Sequence, residues 1–496
     1  MTTTHDRLSP ISTPVLDQAD LVDGHWLAPA LAMGQTLDDP NTGVPRQPQL
    51  ASESETVEVA MALAAEHFLT SRPLPLDVRI RLLELIADGL DQRQREVALQ
   101  DSMANGNGIR TSRRLASYLG PRVLSARDQL LTTAESTELP AAGRDVRLLR
   151  KPLGPAAVLA PWNAPTFVAI AKVASALAAG CPVILKPSEW APGGCQIVAE
   201  IVASAMAELD LPAATFQLLH GGAAVGAQLA SDRRIRAVSF TGGGPGGRAV
   251  AAAAAPHFTA LQLELGGHNP ALVLDDADVS STAAALADGM TKLNGQWCEA
   301  PGKVIVHEGL HDALVDALVA ELSTRALGHC LDEATDVGPI AYRRHRDRLQ
   351  DAIESLIDAG GEALTSAPLP DLDGWFISPT VVTGLPAQAS TRELFGPVVT
   401  VHLVSSTAEA LLASRGPETG LAGFVFGADL DRAIDVAAQV PAGEVRVNGC
   451  NLADLADGSE QDFWDSSGVG GHGPTDMVRF FQGRSTVGVD DPDFPL

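Results

Sequence analysis

Three short motifs in this chain contain side chains with complementary chemistry. Cys298 ends an Asn-Gly-Gln-Trp-Cys motif, Glu264 lies in a Leu-Glu-Leu-Gly-Gly motif, and Asn163 lies in a Pro-Trp-Asn-Ala-Pro motif. A thiolate can add to a carbonyl carbon, a carboxylate can accept a proton, and a side-chain amide can stabilise an oxyanion. Together the motifs predict covalent catalysis on a carbonyl compound.

The cysteine content favours a single reactive thiol. The chain has five cysteines, an odd number, and no two of them have Cys-x-x-Cys spacing. Neither a disulfide framework nor a metal site is therefore predicted. Cys298 taken alone could equally be a buried, inert thiol. The order of its motif after the Asn163 and Glu264 motifs favours a nucleophile. We interpret the remaining four as small buried apolar side chains: Cys181, Cys195, Cys330 and Cys450.

Glu264 is predicted to lie on a strand over residues 261–265. Strand alternation places Leu263 and Leu265 on one face and Glu264 on the other. Apolar surroundings raise the pKa of a carboxylate, which suits a general base that works near neutral pH. A raised pKa is therefore expected for Glu264.

Strand and helix patterns alternate through the middle of the chain, which predicts an α/β fold with a doubly wound, Rossmann-like domain. Strands are predicted at 156–159, 183–185, 216–219 and 237–240, and helices at 166–179, 194–209 and 226–231. Earlier helices are predicted at 54–68, 77–97 and 111–131.

Length and composition limit the class of protein. A chain of 496 residues is expected to form two or three domains, and 45% hydrophobic with 19% charged residues is typical of a globular enzyme. The net charge of −26 predicts that neither nucleic acid nor an anionic membrane is a partner. This charge suits solubility or, alternatively, adaptation to high salt. No signal-peptide pattern is present, so a cytoplasmic location is expected.

A glycine-rich segment at 240–247, Phe-Thr-Gly-Gly-Gly-Pro-Gly-Gly, lies between a predicted strand and a predicted helix. Gly242, Gly244 and Gly247 match the G-x-G-x-x-G spacing, which lets backbone approach a dinucleotide phosphate at a helix N-terminus. An ordinary turn is the alternative interpretation.

In this order, the motifs resemble the aldehyde dehydrogenase superfamily, from about residue 20 to about residue 490. The resemblance implies a non-acylating enzyme that oxidises an aldehyde to an acid with NAD(P)+, through a thiohemiacetal and a thioester on Cys298. Glu264 would activate water and Asn163 would hold the oxyanion. Lys172, nine residues after Asn163, would stabilise charge or relay protons, or alternatively extend from a helix surface to solvent.

The resemblance also implies an NAD site, with NADP possible. Glu189 would accept hydrogen bonds from the adenosine ribose and repel a 2′-phosphate, which favours NAD. Glu393 would hold the nicotinamide ribose and Phe395 would lie near the ring. The family usually has hydroxyl residues where this chain has Gly243 and Gly244, so backbone contacts to phosphate are expected. The implied cofactor residues are Leu159, Pro161, Trp162, Lys186, Ser188, Glu189, Gly222, Gly226, Phe240, Thr241, Gly242, Gly243, Gly247, Leu265, Glu393 and Phe395.

The aldehyde pocket implied by the resemblance is roomy. The family's pocket positions one, five and eight places after the motif asparagine are Ala164, Val168 and Ala171 here. Phe167 and Trp297 add aromatic surface. We predict a bulky apolar or aromatic aldehyde, because the sequence shows no nearby basic residue that would hold a substrate carboxylate.

The family fold implies three parts. A Rossmann-like cofactor domain is expected at 1–131 and 153–262, an α/β catalytic domain at 263–455, and a small β oligomerisation element at 132–152 and 475–496. A homodimer or homotetramer is expected.

Two further residues depart from the family pattern. Glu299 directly follows the nucleophile and is expected to point away from the sulfur, and His472 is near the place of a frequent family glutamate. These departures leave open a catalytically impaired relative that acts as a binding protein, and a thiol esterase. Transfer to coenzyme A is a further alternative, which Glu264 disfavours because a hydrolytic base would be wasteful there.

Overall fold

The predicted strand–helix alternation is present in the structure, a computed structural model that describes residues 17–141, 143–365 and 367–491. The first 16 residues of the expected cofactor domain and the last five of the expected oligomerisation element lie outside the described residues. The strands, in chain order, are β1 (Asp20–Val22), β2 (His25–Leu27), β3 (Leu31–Asp38), β4 (Pro45–Ala51), β5 (Ser136–Glu138), β6 (Val146–Pro152), β7 (Ala156–Leu159), β8 (Val183–Lys186), β9 (Phe216–Leu218), β10 (Ala237–Gly242), β11 (Ala260–Leu265), β12 (Asn269–Val273), β13 (Pro301–His307), β14 (Glu362–Thr365), β15 (Thr380–Thr383), β16 (Val398–Val404), β17 (Ala422–Phe426), β18 (Glu444–Val447), β19 (Gln461–Asp462), β20 (Gly468–Val469), β21 (Gly471–His472) and β22 (Gln482–Gly488).

The helices cover both faces of the sheets. In chain order they are α1 (Ser54–Thr70), α2 (Leu76–Asn105), α3 (Ile109–Ser117), α4 (Leu119–Thr132), α5 (Pro165–Ala179), α6 (Pro192–Glu208), α7 (Ala223–Ala230), α8 (Gly244–Ala254), α9 (Val279–Thr291), α10 (His311–Ser323), α11 (Arg343–Asp358), α12 (Thr407–Ala413), α13 (Leu430–Ala437) and α14 (Asp476–Phe480). Among the described residues, no helix combines the length and the apolarity that a membrane crossing requires.

The first sheet has the strand order β2-β1-β9-β8-β7-β10-β11-β20. Its central strands β9, β8, β7, β10 and β11 are parallel, and antiparallel strands lie at both edges. Ala156 and Val158 of β7 pack into one apolar core, and Ala157 and Leu159 pack into another. Because successive side chains alternate between faces, the sheet is buried on both sides, as a doubly wound domain requires. The predicted fold class is confirmed.

A second sheet has the strand order β14-β15-β16-β13-β12-β17-β18, parallel except for β14. Cys298 lies in the segment between α9 and β13, three residues before β13 begins. A third sheet of β22, β6 and β5 pairs the C-terminal strand with a hairpin.

The prediction of one helix over 111–131 is wrong. The chain forms α3 and α4, which are separated at Tyr118, where the N–H bonds back to Leu115. After this break α4 packs against α5 with apolar residues such as Val123 and Leu130.

Candidate active site

The loops that contain Asn163 and Cys298 meet through a direct hydrogen bond. The Asn163 Nδ2 donates to the Gln296 carbonyl at 2.9 Å. The backbone carbonyl of Asn163 in turn accepts hydrogen bonds from the side-chain amides of Asn105 at 2.9 Å and Asn107 at 3.1 Å. A primary amide has two N–H groups, so Asn163 keeps a second donor for an oxyanion on the cysteine.

The backbone before the nucleophile is held in an unusual conformation. Leu293, Asn294 and Gly295 have positive φ angles of 50°, 57° and 73°. A side chain at Gly295 would collide with the backbone of Gly396, so glycine is required there. The Asn294 side chain donates to the Gly106 carbonyl at 2.8 Å, which ties the loop to α2. Cys298 is therefore presented from a rigid loop.

Asn269 is a positioning residue that sequence reasoning missed. Its Nδ2 donates to the carbonyls of Cys298 at 2.8 Å and Ala300 at 2.9 Å, and its Oδ1 accepts from the Ala422 N–H at 3.2 Å. The amide at the start of β12 is completely buried. The motif extends to Gly-Gly-His-Asn-Pro after Leu265, and this polar residue inside an apolar segment was the available signal.

Lys172 and Glu264 form a buried ion pair. The Lys172 Nζ lies 3.4 Å from Glu264 Oε2, and Thr241 Oγ1 donates to the same oxygen at 3.4 Å. Lys172 is only 3% exposed, so its interpretation as a lysine that extends from a helix surface to solvent is wrong. Leu263 and Leu265 pack into the core on the opposite face of β11, as predicted.

The expected rise in the pKa of Glu264 is also wrong. Burial alone would raise this pKa, but the nearby Lys172, His472 and Arg122 together lower it below its usual range. Glu264 is therefore ionised at neutral pH and can accept a proton. The sequence context gave only the apolar neighbours along the strand, whereas the cationic groups come from other elements.

The thiol of Cys298 has a raised pKa. Burial is the main cause, followed by the negative charges of Glu299, Glu264 and Glu393. Cys298 is half-buried, whereas the other four cysteines are buried as predicted. A neutral thiol at pH 7 requires a base, which Glu264 can supply.

Glu299 lies in a polar cluster next to the nucleophile. Its Oε1 accepts a hydrogen bond from Gln461 Nε2 at 3.3 Å, and the Glu444–Arg446 ion pair lies close by. Burial raises the pKa of Glu299 to about 7, with a further increase from Glu444. The negative charge of Glu299 acts on Cys298 through space and raises the pKa of the thiol.

Glu299→Gln is expected to make Cys298 more reactive above neutral pH. With its pKa near 7, Glu299 gains its charge as the pH rises through 7 and then opposes thiolate formation. Removal of this charge lowers the thiol pKa, so iodoacetamide should inactivate the variant about twofold faster or more at pH 8. At pH 6 the difference should shrink. Glu299→Asp, which keeps the charge, is the control, and equal rates for Glu299→Gln and the parent at pH 8 would contradict the account.

The glycine-rich turn has the geometry of a phosphate cradle. The Phe240 ring occupies the space beside Gly242 and Gly246, and Leu265 occupies the space beside Gly247, so side chains there would collide. At Gly243 an added Cβ would be 3.9 Å from its nearest neighbour, which leaves open space at the start of α8. Free N–H groups at this helix N-terminus suit an anion.

Arg248 is a second missed residue at the cradle. Its guanidinium Nη1 lies 3.2 Å from the position that a Cβ on Gly244 would take. The absence of a side chain at Gly244 therefore makes room for a positive charge beside the first turn of α8. The guanidinium of Arg248 can attract a phosphate in place of the hydroxyl groups that the family usually has at the positions of Gly243 and Gly244.

The other predicted cofactor residues gather at the carboxyl ends of β7, β8 and β9. Leu159 and Lys186 are register partners in the sheet. A side-chain carbon of each lies 3.9 Å from the position that a Cβ on Gly226 would take. Glu189 accepts from Ser188 Oγ at 3.4 Å and borders Gly222. Pro161 lies in the segment between β7 and α5. Ligands of doubly wound sheets bind at such strand ends.

The loop that contains Glu393 and Phe395 packs against the segments after β11 and β7. The Gly267 N–H donates to Glu393 Oε1 at 3.1 Å, and burial raises the pKa of this carboxyl to about 8. The Phe395 ring centroid lies 5.3 Å from that of Trp162. Both predicted residues therefore lie beside the segments of Glu264 and Asn163.

The predicted aldehyde pocket contains a basic residue that the sequence did not reveal. Ala164 and Ala171 are buried, and Phe167 and Val168 are half-buried. Trp297 is only 5% exposed. The guanidinium carbon of Arg122 lies 3.6 Å from the centroid of the Phe167 ring. A basic side chain therefore lies beside one of the predicted pocket residues, and the absence of a residue that holds a substrate carboxylate stays a prediction.

His472 lies close enough to Glu264 to affect its pKa. Its strand β21 pairs with β19, and its ring packs edge-on against Phe463 with centroids 5.4 Å apart. Burial lowers the pKa of His472, although Glu264 opposes this shift. The ring is therefore neutral at pH 7, and its positive charge acts on Glu264 only at acidic pH.

Comparison with known proteins identifies the family. The model of the aldehyde dehydrogenase family matches residues 35–487, and the chain belongs to this family. Geranial dehydrogenase of Castellaniella defragrans is 32% identical over 441 residues, which cover 86% of this chain and 90% of that protein.

Solved structures of the family have the same fold. A mutant of aldehyde dehydrogenase C from Pseudomonas syringae, in complex with NAD+ and octanal, has a TM-score of 0.87 and 27% identity, and the match covers 97% of this chain and 98% of that one. Betaine aldehyde dehydrogenase from Staphylococcus aureus, in complex with NAD+, has a TM-score of 0.88 and 25% identity, with 95% and 94% covered.

Proposed function

We propose that this protein oxidises an apolar aldehyde to its carboxylic acid, with NAD+ as hydride acceptor and Cys298 as nucleophile. The observation that supports this most strongly is the hydrogen bond from the Asn163 amide to the Gln296 carbonyl. This bond holds the Asn163 amide, the proposed oxyanion donor, beside the loop of Cys298, and the other four cysteines are buried.

Addition to the aldehyde requires a base. The ionised carboxylate of Glu264 accepts the thiol proton, directly or through water, and the Cys298 sulfur forms a bond to the carbonyl carbon. The carbonyl electron pair moves to oxygen, where the second Asn163 N–H stabilises it. One such donor contributes about 3–4 kcal/mol to the transition state.

NAD+, when bound, accepts the hydride that leaves the substrate carbon. The carbon–oxygen double bond reforms as the hydride departs, which leaves a thioester on Cys298. Glu393 and Phe395 would hold the nicotinamide end, since they lie beside Gly267 and Trp162.

Hydrolysis returns the enzyme to its starting state. Glu264 removes a proton from water, the oxygen adds to the thioester carbon, and the carbon–sulfur bond breaks to release the acid. Lys172 keeps Glu264 ionised and fixed in place. One aldehyde, one water and one NAD+ give one carboxylate, one NADH and two protons.

NAD is proposed over NADP. The Glu189 carboxylate lies beside Gly222 and Ser188, where it can accept ribose hydroxyl hydrogen bonds and would repel a 2′-phosphate. The Gly243 cradle and Arg248 would take the pyrophosphate. The related enzymes from P. syringae and S. aureus were solved with NAD+.

The hydrocarbon body of the substrate is proposed to lie against Ala164, Val168 and Ala171, with Phe167 beside them. Small side chains leave room for a bulky or long chain, and the aromatic ring adds apolar contact. The related proteins named for geranial or solved with octanal act on or hold aldehydes of this kind.

The domain assignment made from the sequence is retained as a proposal. The first sheet would form the cofactor domain, which would then extend to Leu265 because β11 (Ala260–Leu265) crosses the boundary expected between residues 262 and 263. The second sheet would form the catalytic domain, and β5, β6 and β22 would form the oligomerisation element of a homodimer or homotetramer. Val487 on β22 is 53% exposed, as an interface residue in an isolated chain would be.

NADH formation with a panel of aldehydes tests the proposal. Octanal, geranial and benzaldehyde should give measurable turnover with NAD+, with kcat/KM at least about tenfold lower with NADP+. Fastest turnover on succinic semialdehyde would contradict the apolar substrate class. Hydrolysis of an activated ester without any NAD binding would instead support the thiol esterase alternative.

A further inference from the structure

The Tyr342 ring packs against two tryptophans on separate loops. It is stacked on Trp190, with ring centroids 4.0 Å apart and planes at 14° to each other. The Trp162 ring packs edge-on against it, with centroids 5.4 Å apart and planes at 77°. Stacked and edge-on arrangements are the ones that aromatic pairs prefer. Tyr342 therefore joins the two tryptophans through direct ring contacts.

The three rings come from segments of both large sheets. Trp162 lies between β7 and α5, and Trp190 lies between β8 and α6, so both follow the carboxyl ends of neighbouring strands of the first sheet. Tyr342 directly precedes α11, in the connection between β13 and β14 of the second sheet. One ring from a segment of the second sheet thus fixes two loops of the first.

Each of these loops carries a residue of the proposed mechanism beside its tryptophan. Asn163, the proposed oxyanion donor, follows Trp162, and Glu189, the proposed ribose ligand, precedes Trp190. Burial raises the pKa of the Tyr342 phenol, and the negative charge of Glu189 adds to this rise although two arginines of α11 oppose it. The Glu189 carboxylate is therefore close to the Tyr342 phenol, which is neutral at pH 7.

The loop proposed to hold the nicotinamide is joined to the same rings. The Phe395 ring packs edge-on against Trp162, with centroids 5.3 Å apart. Phe395 has a φ of 60°, which residues other than glycine rarely adopt, so its backbone needs to be held. His345, one turn after Tyr342 on α11, donates its Nε2–H to the Phe395 carbonyl at 2.8 Å. The segment of Tyr342 therefore connects all three loops.

We propose that Tyr342 is a positioning residue for hydride transfer. Its ring holds the loops of Asn163 and Glu189 at a fixed separation, and thereby sets the distance between the aldehyde carbon on Cys298 and the dinucleotide. A displacement of about 1 Å can slow a reaction by about 10²-fold, so packing away from the chemistry can control its rate. The ring carries this role, since the described residues include no hydrogen-bond partner for the Tyr342 hydroxyl. The role rests on the dehydrogenase function proposed above.

Tyr342→Ala and Tyr342→Phe separate the ring from the hydroxyl. First-turnover NADH formation should be measured at saturating NAD+ with octanal and with octanal deuterated at the aldehyde carbon. Tyr342→Ala should slow this phase by about tenfold or more, with a deuterium isotope effect at least as large as that of the parent, because hydride transfer is the slowed step. Tyr342→Phe keeps the stacked ring and should stay within about twofold of the parent.

Tyr118→Ala is the matched control. Tyr118 is the only other tyrosine in the chain, is 45% exposed and lies at the break between α3 and α4. Its replacement should change neither the first-turnover rate nor the isotope effect. Thermal unfolding and the rate of Cys298 alkylation show whether each variant is folded. Tyr342→Leu fills more of the space and replaces the alanine variant if that variant does not fold, with the same direction of change expected.

Three results would overturn the proposal. Tyr342→Ala could unfold at a lower temperature and still form NADH at the parent rate, which would assign the ring to stability alone. It could be slow and lose the isotope effect, which would assign the slow step to aldehyde addition or cofactor binding. Tyr342→Phe could be as slow as Tyr342→Ala, which would assign the role to the hydroxyl.

Absence of NADH formation by the parent with every aldehyde would contradict the dehydrogenase function, and NAD+ binding then decides the role of Tyr342 separately. Calorimetry with NAD+ needs no turnover. Loosening of the Glu189 loop in Tyr342→Ala should raise the Kd for NAD+ about fivefold or more, because the loop must then be ordered on binding, and Tyr342→Phe should keep the parent value. Equal Kd values in the three proteins, or no binding by the parent, would overturn the proposal.

Discussion

Cys298→Ala is expected to lower kcat/KM for aldehyde oxidation by about 10⁴-fold or more. Loss of the nucleophile removes the covalent intermediate, and in comparable covalent enzymes this costs up to about 10⁶-fold. The alanine fits the half-buried position, and the loop is held by Asn269 and Asn294 and not by the sulfur. NADH formation with octanal is the measurement.

Cys195→Ala is the matched control. Cys195 is completely buried in α6, within the core of the first sheet, and the mechanism does not use it. Its replacement should cost stability of about 1 kcal/mol and leave kcat within about twofold. Residual activity of Cys298→Ala near that of Cys195→Ala would show that the reaction does not need a thiol adduct.

Glu264→Gln should separate the two halves of the reaction. The substitution keeps the shape of the side chain and removes the base that activates water. We expect a slower first turnover, because the Cys298 proton must then pass to solvent, that still yields close to one NADH per active site. Steady-state turnover should be reduced further, by about 10²–10⁴-fold, because water is no longer activated. Rapid mixing with octanal and NAD+ measures both phases.

The control for Glu264→Gln must account for stability, because Lys172 loses its buried partner. Removal of one member of a buried pair costs about 3–5 kcal/mol, so thermal unfolding should be followed alongside activity. Glu362→Gln on the exposed strand β14 should change neither quantity. Complete loss of the first turnover would show that solvent cannot replace Glu264 as the base for the Cys298 thiol. An unchanged rate of the first turnover would show that Glu264 does not accept the thiol proton.

The sequence predicted the parts of the site that lie within short motifs. Cys298, Glu264 and Asn163 each lie beside glycine, proline or alternating apolar residues that indicate the local geometry. The parallel sheet followed from the same local patterns, since Ala156 to Leu159 and Val183 to Leu185 are uninterrupted apolar strands. Local backbone preference and burial were sufficient there.

Features that arise from packing between distant segments could not be predicted. Arg122 precedes Asn163 by 41 residues and contacts Phe167 because α4 packs on α5. The pKa of Glu264 was predicted with the wrong sign for the same reason. Its lowering depends on Lys172, His472 and Arg122, which come from three different elements.

Mass mapping of the trapped intermediate shows whether Cys298 carries the acyl group. Glu264→Gln should be mixed with octanal and NAD+, quenched in acid and digested, and the peptides should be compared with a sample that lacks NAD+. An octanoyl thioester is expected on the peptide that contains Cys298, present only with NAD+. An acyl group on another residue, or no acyl group although NADH has formed, would contradict it.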